Sequence, residues 1–389
     1  MKKSVYLDYN ATTAVAPEVL DAMLPYLREH FGNPSSIHAY GQAAKAALYD
    51  ARESVATLIG AGPNEVLFTS GGTEAANLAI RGVLAAAEGG RRHLIASKVE
   101  HHAVLNTMNG LSKSGNPVTF LKVDREGVVA PRELEKALTP ETLLVSIMHA
   151  NNETGVVQPI AELSRLTRDA GAYFYTDAVQ SVGKIPVNVH ELGADLLSLS
   201  GHKLYAPKGT GALYVRRGVK LRSVFRGGGQ ERSRRPGTEN LPGIVGLGRA
   251  ADLARKGLSS DNDRVEALRD RLEKEVLETI NGVRANGGGA HRTPNTTNLS
   301  FDGIEGETLT IALDLRGFAV STGAACSSGT VDPSHVLQAM GFGPARVQGS
   351  IRVSLGKYTT EEEVLRFAEV LRDTVESIRR RSAGRSLRA

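Results

Sequence analysis

The sequence predicts an α/β fold in which helices cover a mostly parallel sheet, with a smaller α/β domain toward the C-terminus. Strand-like and helix-like segments alternate through the middle of the chain, each strand-like segment ends in a polar cluster, and the composition shifts after Gly237. A chain of 389 residues is also too long for one small core. We therefore expect one large domain and at least one smaller domain.

The strands of the larger domain are short apolar segments bounded by polar residues and glycines. We predict them at residues 65–69, 93–96, 142–148, 172–175, 196–199 and 211–215, the last one antiparallel, with a helix at 73–84. Four of these strands are followed by polar clusters, at 70–73, 151–153, 177–180 and 200–203. Because ligands of open α/β sheets lie beyond the carboxyl ends of the strands, we expect these clusters to converge on one site.

Helices and strands continue to alternate in the C-terminal part. We predict helices at 241–256, 262–280, 306–316 and 360–381, strands at 297–301, 319–321 and 350–354, and a glycine-rich connection at 282–294. The predicted division is a large domain at 15–255 and a small domain formed by 1–14 together with 256–389.

The charge of the chain is modest, at +5, with arginines concentrated at 226–235 and 379–388. No interleaved aromatic residues accompany them, so nucleic acid is not an expected partner. A solvated basic face is the favoured interpretation, with an acidic protein partner or an anionic ligand as the alternative. Because no run of about 18 apolar residues exists and no apolar stretch follows the first lysines, we expect no membrane span, no secretory signal and a cytoplasmic protein.

The chain contains a single cysteine, Cys326. An internal disulfide is thereby excluded, and a metal site built on cysteines is not expected. Residues 321–330 around it are small or hydroxyl-bearing, which is typical of an accessible loop rather than a core. A reactive thiol in a mobile loop is the interpretation that this composition favours.

Three polar features point to carbonyl chemistry on a phosphorylated cofactor. Lys203 ends a predicted buried strand, where a lysine can form a Schiff base with an aldehyde. Asp177 ends another strand 26 residues earlier and is suited to pair with a protonated pyridine nitrogen. The glycine-containing turn at 70–73 precedes a helix, an arrangement that binds phosphate through free backbone N–H groups.

With these features the chain resembles the cysteine desulfurases, a group of class V aminotransferase-like, pyridoxal-phosphate-dependent enzymes of fold type I. The matching stretches are residues 6–13, 32–38, 68–74, 99–104, 151–155, 177–181, 200–203, 235–240, 326–329 and 351–354. The resemblance implies a large domain with a mostly parallel seven-stranded sheet. It is strongest to the extended-loop group, the housekeeping and nitrogenase-associated desulfurases, with residues 237–240 closer to the nitrogenase-associated branch.

The resemblance assigns ten residues to binding of pyridoxal phosphate. They are Gly72, Thr73, Ser200, His202 and Thr238 at the phosphate, the last from a second subunit, His101 against the ring, Asp177 at the pyridine nitrogen, Asn152 and Gln180 near the phenolic oxygen, and Lys203 as the covalent link. A homodimer is implied by the role of Thr238. No metal is implied.

The resemblance also implies a reaction. L-cysteine is converted to L-alanine, Asn152 and Arg352 bind the substrate carboxylate, Lys203 and His101 move protons, and Cys326 receives the sulfur as a persulfide. Arginine suits a carboxylate because its planar fork binds both oxygens. The implied acceptors are an iron–sulfur scaffold protein and other sulfur carriers, such as those of tRNA thiolation.

Two residues depart from the pattern of the resemblance, Ala324 and Pro236, where serine is usual. Neither change removes a catalytic group, although Pro236 alters the segment that presents Thr238. Other interpretations are a class V aminotransferase, which needs no thiol, a selenocysteine lyase, or an inactive scaffold in a sulfur-transfer complex.

Overall fold

The computed structural model describes residues 4–322 and 333–386, with side chains as far as Arg381. Its helices are α1 Pro17–Arg28, α2 Ala39–Leu58, α3 Gly72–Ala86, α4 His102–Lys113, α5 Pro131–Ala137, α6 Ile160–Asp169, α7 Val189–Leu192, the distorted turn α8 Gln230–Ser233, α9 Leu241–Thr279, α10 Gly306–Leu315, α11 His335–Ala339, α12 Pro344–Gln348 and α13 Glu361–Ser386. Its strands are β1 Val5–Tyr6, β2 Val66–Thr69, β3 His93–Ser97, β4 Val118–Leu121, β5 Thr142–Ser146, β6 Tyr173–Asp177, β7 Leu196–Ser200, β8 Gly211–Val215, β9 Val283–Ala285, β10 Thr296–Phe301, β11 Phe318–Ala319 and β12 Ser350–Ser354.

The central sheet has seven strands in the order β2-β8-β7-β6-β5-β3-β4. All neighbours pair in parallel except β8, which is antiparallel to both β2 and β7. The α/β class, the mostly parallel sheet and the antiparallel strand at Gly211–Val215 are therefore confirmed. Strand β4 lies at the edge of the sheet and was not among the predicted strands.

Helices cover both faces of this sheet. Strands β3, β5 and β7 are buried along their whole length, as expected of parallel strands between two helical layers. One apolar cluster joins the sheet to α2 and the first part of α9, and another joins it to α3 and α4. A cavity opens at the carboxyl ends of these strands.

The C-terminal part has a core of its own. Strands β12-β10-β9 form an antiparallel sheet, and β1 pairs in parallel with β11. Their apolar cluster includes the second half of α9 together with α10 and α13, with the Phe318 and Phe367 rings 5.4 Å apart. The domain boundary near residue 256 stays a prediction, and this separate core supports it.

The prediction of two helices at 241–256 and 262–280 is wrong, because α9 is continuous over its 39 residues. The polar stretch between them was interpreted as a break. Instead its side chains bond along the helix: Asn262 Nδ2 donates to Leu258 O at 2.6 Å, and Ser259 Oγ donates to Asp263 Oδ2 at 3.1 Å. A side-chain pair four residues apart, such as that of Ser259 and Asp263, supports a helix where it lacks an apolar stripe.

Within the described ranges, the structure has no helix that is both long enough and apolar enough to span a bilayer.

Helices α2 and α9 pack so closely at Gly248 that a larger residue is not expected to fit there. A Cβ at Gly248 would lie 2.7 Å from Ala51 Cα, so neither helix backbone can yield cheaply. We expect Gly248→Ala to lower the free energy of unfolding by about 1–3 kcal/mol. The matched control is Gly110→Ala in α4, where a Cβ meets nothing within 4 Å, and a gain of about 0.5–1 kcal/mol is expected. Equal effects in urea unfolding would contradict this packing.

Candidate active site

A cavity of about 450 Å³ opens at the carboxyl edge of the seven-stranded sheet. It brings together ten of the predicted site residues: Gly72, Thr73, His101, Asn152, Asp177, Gln180, Ser200, His202, Lys203 and Arg352. They lie at the carboxyl ends of β6 and β7, in the segments that follow β2, β3, β5, β6 and β7, and in β12 of the C-terminal part. The expected convergence of the polar clusters is thus observed, and the roles assigned to the residues remain predictions.

Lys203 closes a single 3-10 turn directly after β7. Its Nζ donates to the backbone carbonyls of Asn10 and, at 2.6 Å, of Ala11. Desolvation by the surrounding protein and the positive charge of Arg352 lower the pKa of Lys203 to about 8. A lysine with such a pKa is partly neutral near neutral pH and is a better nucleophile than a surface lysine.

Asp177 is the last residue of β6 and is 5 % exposed. Its Oδ1 accepts a hydrogen bond from Val179 N at 2.9 Å. Burial raises the pKa of Asp177 to about 6, although the charge of Lys203 opposes the shift. A buried carboxylate beside a cavity calls for a cationic or N–H partner in that cavity.

The N-terminus of α3 forms a cup suited to an anion. Gly71 has a φ of 154°, and a Cβ at Gly72 would lie 2.8 Å from Val179 Cγ2, so glycine is required at this turn. No side chain caps the helix, which leaves its first N–H groups and its dipole directed at the cavity. Ser200 and His202 border the same space.

His101 caps the N-terminus of α4, where its Nδ1 accepts a hydrogen bond from Ala103 N at 3.1 Å. Desolvation, together with the charges of Lys203 and His102, lowers the pKa of His101 to about 4. The ring is therefore neutral at pH 7, and its proton lies on Nε2 because Nδ1 accepts. It can donate from Nε2 without adding charge to the site.

Arg352 is held in place before any substrate arrives. It is 6 % exposed, its Nη1 donates to Asn152 O at 2.9 Å, and its Nη2 donates to Asp8 Oδ1 at 2.7 Å. Its Nε is buried without a partner among the described residues. An unsatisfied buried donor beside a cavity suits an anionic ligand. Asp8 was not singled out in the sequence, although it lies in the matching stretch 6–13.

Thr238 does not line the cavity of its own chain, and it is exposed. The preceding segment is firmly anchored: Arg52 forms a buried ion pair with Glu231 at 2.6 Å, and Arg235 pairs with Glu74 at 2.7 Å. Glu231 and its next two neighbours have φ values of 44°, 59° and 60°, which non-glycine residues adopt only when surrounding contacts hold them. The segment thus presents Thr238 outward.

Cys326 lies outside the described residues. The chain reaches that segment from Ser321, whose N and O bond to the backbone of Arg352 at 3.2 and 2.6 Å. It returns at Ser334, whose Oγ donates to Glu153. Burial raises the pKa of Glu153 to about 7. Both ends of the cysteine segment are therefore fixed at or near residues of the cavity.

Sequence reasoning missed two further residues of this site, Asn10 and Lys184. Asn10 lines the cavity and is 2 % exposed, and Lys184 bonds to it at 2.9 Å. A signal was present for Asn10, within the matching stretch 6–13. Lys184 follows the stretch 177–181, and a single lysine in a loop carries no signal of burial.

Comparisons with known proteins agree with this geometry. The family model of class V aminotransferases matches residues 5–367. "Cysteine desulfurase IscS" of Dictyoglomus turgidum is 51 % identical over 379 residues, covering 97 % of this chain and 96 % of its own. A solved "NifS-like protein" superimposes with a TM-score of 0.90 at 41 % identity, covering 96 % and 99 % of the two chains. A structure titled "SspA in complex with cysteine" gives 0.80 at 37 % identity, covering 91 % and 99 %. With the fold, the converging residues and these likenesses together, the chain belongs to the class V aminotransferase family and, within it, to the cysteine desulfurases.

Proposed function

We propose that this enzyme uses pyridoxal phosphate bound to Lys203 to convert L-cysteine to L-alanine, and that Cys326 receives the sulfur as a persulfide. The observation that carries the proposal is the convergence of Lys203, Asp177 and Arg352 on one cavity beside the free N-terminus of α3. Each of these groups suits a different part of the cofactor and substrate.

The residues present fit an anionic cofactor. After desolvation, which is the larger cause, the charge of Arg352 lowers the pKa of Lys203, and the charges of Lys203 and Arg352 lower that of Lys184. The cations at this edge therefore repel one another. A phosphate in the cup of α3 and a carboxylate at Arg352 would relieve this repulsion. When bound, pyridoxal phosphate supplies an aldehyde for an amine and a ring that draws electrons from the substrate's α-carbon.

Each side chain has a part in holding the cofactor under this proposal. Lys203 supplies the amine for the covalent link, and Asp177 faces the pyridine nitrogen. The phosphate is held by Gly72, Thr73, Ser200 and His202 and by Thr238 of a second copy. The pKa of His202 is lowered to about 4 by burial and by Lys203, so its ring is neutral and offers one N–H to the phosphate.

Catalysis needs a clamp and a proton carrier. Arg352 binds the carboxylate of L-cysteine through its planar guanidinium, already oriented by Asp8 and the Asn152 carbonyl. Lys203 takes the proton from Cα, because its lowered pKa lets it accept and return a proton near neutral pH. His101, neutral and protonated on Nε2, is suited to donate a hydrogen bond above the ring.

The sulfur step balances without an added oxidant. The Cys326 thiolate attacks the sulfur of the bound cysteine, so an S–S bond forms as the C–S bond breaks. The electron pair of the C–S bond stays with the former Cβ, which takes up a proton to become the methyl group of alanine. The products are L-alanine and one persulfide on Cys326.

The physiological sulfur acceptors are proposed by resemblance, as an iron–sulfur scaffold protein and other sulfur carriers. A cytoplasmic location is part of the same proposal. It is supported by the chemistry, since Cys326 must stay a free thiol, and reducing compartments keep thiols free.

Single-turnover product analysis tests the proposal. With L-cysteine and the loaded enzyme, we expect one alanine per site and a mass gain of about 32 Da, one sulfur atom, on the peptide with Cys326. Cys326→Ser is the matched control, expected to retain cofactor binding and lose both products. Pyruvate, amino-group transfer or an unmodified Cys326 would reassign the enzyme to a lyase or an aminotransferase.

The lowered pKa of Lys203 predicts how cofactor uptake depends on pH. Only the neutral amine attacks an aldehyde, so the rate at which cofactor-free protein becomes yellow with pyridoxal phosphate should rise through pH about 8. An ordinary lysine would require about pH 10.4. Lys203→Ala should give no covalent colour at any pH, and a midpoint above 10 in the unaltered protein would refute the assignment.

We further propose that the enzyme is a homodimer. Thr238 is exposed and does not line the cavity of its own chain. Large apolar side chains of α1, α2 and their connection are also exposed: Leu27, Phe31, Ile37, Tyr40 and Tyr49. Ile37 is 92 % exposed and Phe31 is 74 % exposed. Such a patch is typical of an interface, and a second copy that covers it would bring Thr238 within reach of the neighbouring cup.

Mixed dimers test this arrangement. Thr238→Ala alone should weaken binding of pyridoxal phosphate by about tenfold, the loss of one hydrogen bond. When it is mixed with Lys203→Ala, the site that retains Lys203 receives Thr238 from the other copy, so half of the sites should regain full affinity. If Thr238 acts within its own chain, mixing restores nothing.

A further inference from the structure

Lys184 is a second lysine at the candidate site that the proposed reaction does not use. It lies half-buried in the loop after β6 and borders a small cavity of about 70 Å³. Its Nζ donates to Gln180 Oε1 at 2.5 Å and to Asn10 Oδ1 at 2.9 Å. Desolvation and the charges of Lys203 and Arg352 lower its pKa. Desolvation and two neighbouring cations make the charged form of Lys184 costly, and a lysine retained there calls for a function.

The orientation of the Asn10 amide follows from backbone acceptors, which have only one possible role. Asn295 Nδ2 donates to Leu355 O at 3.2 Å and to Asn10 Oδ1 at 2.9 Å. Asn10 Nδ2 donates to Asn152 O at 3.2 Å. The oxygen of the Asn10 amide therefore faces Lys184, which must act as the donor.

The orientation of Gln180 follows in the same way. Its Nε2 donates to the backbone carbonyl of Asn10 at 3.0 Å, and its Oε1 accepts from Lys184. A flipped amide would set its NH₂ against the lysine and its oxygen against a carbonyl. A neutral Lys184 still has two hydrogens for its two acceptors, so the arrangement does not depend on the protonation of Lys184.

Gln180 lines the main cavity, and its Nε2 makes one hydrogen bond to the described residues. We propose that Lys184 is a positioning residue, which holds the Gln180 amide so that the free N–H of Nε2 faces the cavity and donates to an anionic oxygen there, the phenolic oxygen of pyridoxal phosphate. This inference rests on the proposed cofactor. It makes Lys184 part of the tuning of the bound chromophore, rather than only a support for the loop.

The test is a pH titration of the visible absorbance of the loaded protein. A hydrogen-bond donor at the phenolic oxygen stabilises the deprotonated chromophore. Loss of that donor therefore raises the pH at the midpoint of the absorbance change. Lys184→Met and Gln180→Leu should each raise the midpoint by about one pH unit. In the double variant the shift should stay close to that of Gln180→Leu alone, because the two residues act as a unit. Additive shifts would show that Lys184 acts by its charge alone and would overturn the proposal.

Controls separate positioning from folding and from the loss of a charge. Lys220→Met removes an exposed lysine that pairs with Glu88 and should leave the midpoint unchanged. Lys184→Arg keeps a donor-only cation, for which the 70 Å³ cavity gives room, and should restore the midpoint. If Lys184→Met does not fold, Lys184→Gln replaces it in the comparison of the single and double variants.

The two proposals fail in different ways. If the unaltered protein takes up no pyridoxal phosphate, the proposed function is wrong. If it does, and Lys184→Met and Lys184→Gln leave the midpoint where it was, only the role of Lys184 is wrong.

Discussion

The candidate site depends on the complete hydrogen bonding of one buried residue, Asn10. Its backbone N–H donates to Ser354 Oγ, its carbonyl accepts from Gln180 and Lys203, and both ends of its amide are bonded. A buried polar group left unpaired is costly. Asn10 is therefore held in the one position in which all of these hydrogen bonds form. It thereby fixes the N-terminal segment against the edge of the large sheet and against the C-terminal strands. Lys203 is placed relative to both by a single residue.

The second constraint is electrostatic. Lys184, Lys203 and Arg352 lie near one another, with Asp8 and Asp177 as the carboxylates that act on Lys203. The surrounding protein removes water that would screen these charges. Desolvation and the charge of Arg352 therefore lower the pKa of Lys203, and desolvation and the charges of Lys203 and Arg352 lower the pKa of Lys184. A ligand that carries a phosphate and a carboxylate would supply the negative charge that balances these cations. Desolvation of a positively charged cavity thus accounts for both the lowered pKa of Lys203 and the neutral ring of His101, and it suits the anionic cofactor that we propose.

A third constraint acts on the segment that carries Thr238. Three consecutive residues with positive φ are held by the buried pair of Arg52 and Glu231, and Arg235 ties the same segment to Glu74 in the first turn of α3. The N-terminal turn of α3 and the segment that carries Thr238 are therefore connected through this ion pair. In the dimer that we propose, the segment that reaches the second copy would thus be tied to the helix proposed to hold the phosphate of its own chain.

The sequence by itself determined the α/β class, the antiparallel strand and ten residues of the cavity, because strand ends and polar clusters are local patterns and the matching stretches preserve them in order. It did not determine that α9 is one helix, since side-chain pairs such as that of Ser259 and Asp263 occupy the polar stretch, where a pattern detects no apolar stripe. It also gave no sign that Lys184 bonds to Asn10 and Gln180, or that Asp8 and the Asn152 carbonyl orient Arg352. Those facts are contacts between residues far apart in the chain, and only the packing of the N-terminal segment between the two sheets decides them.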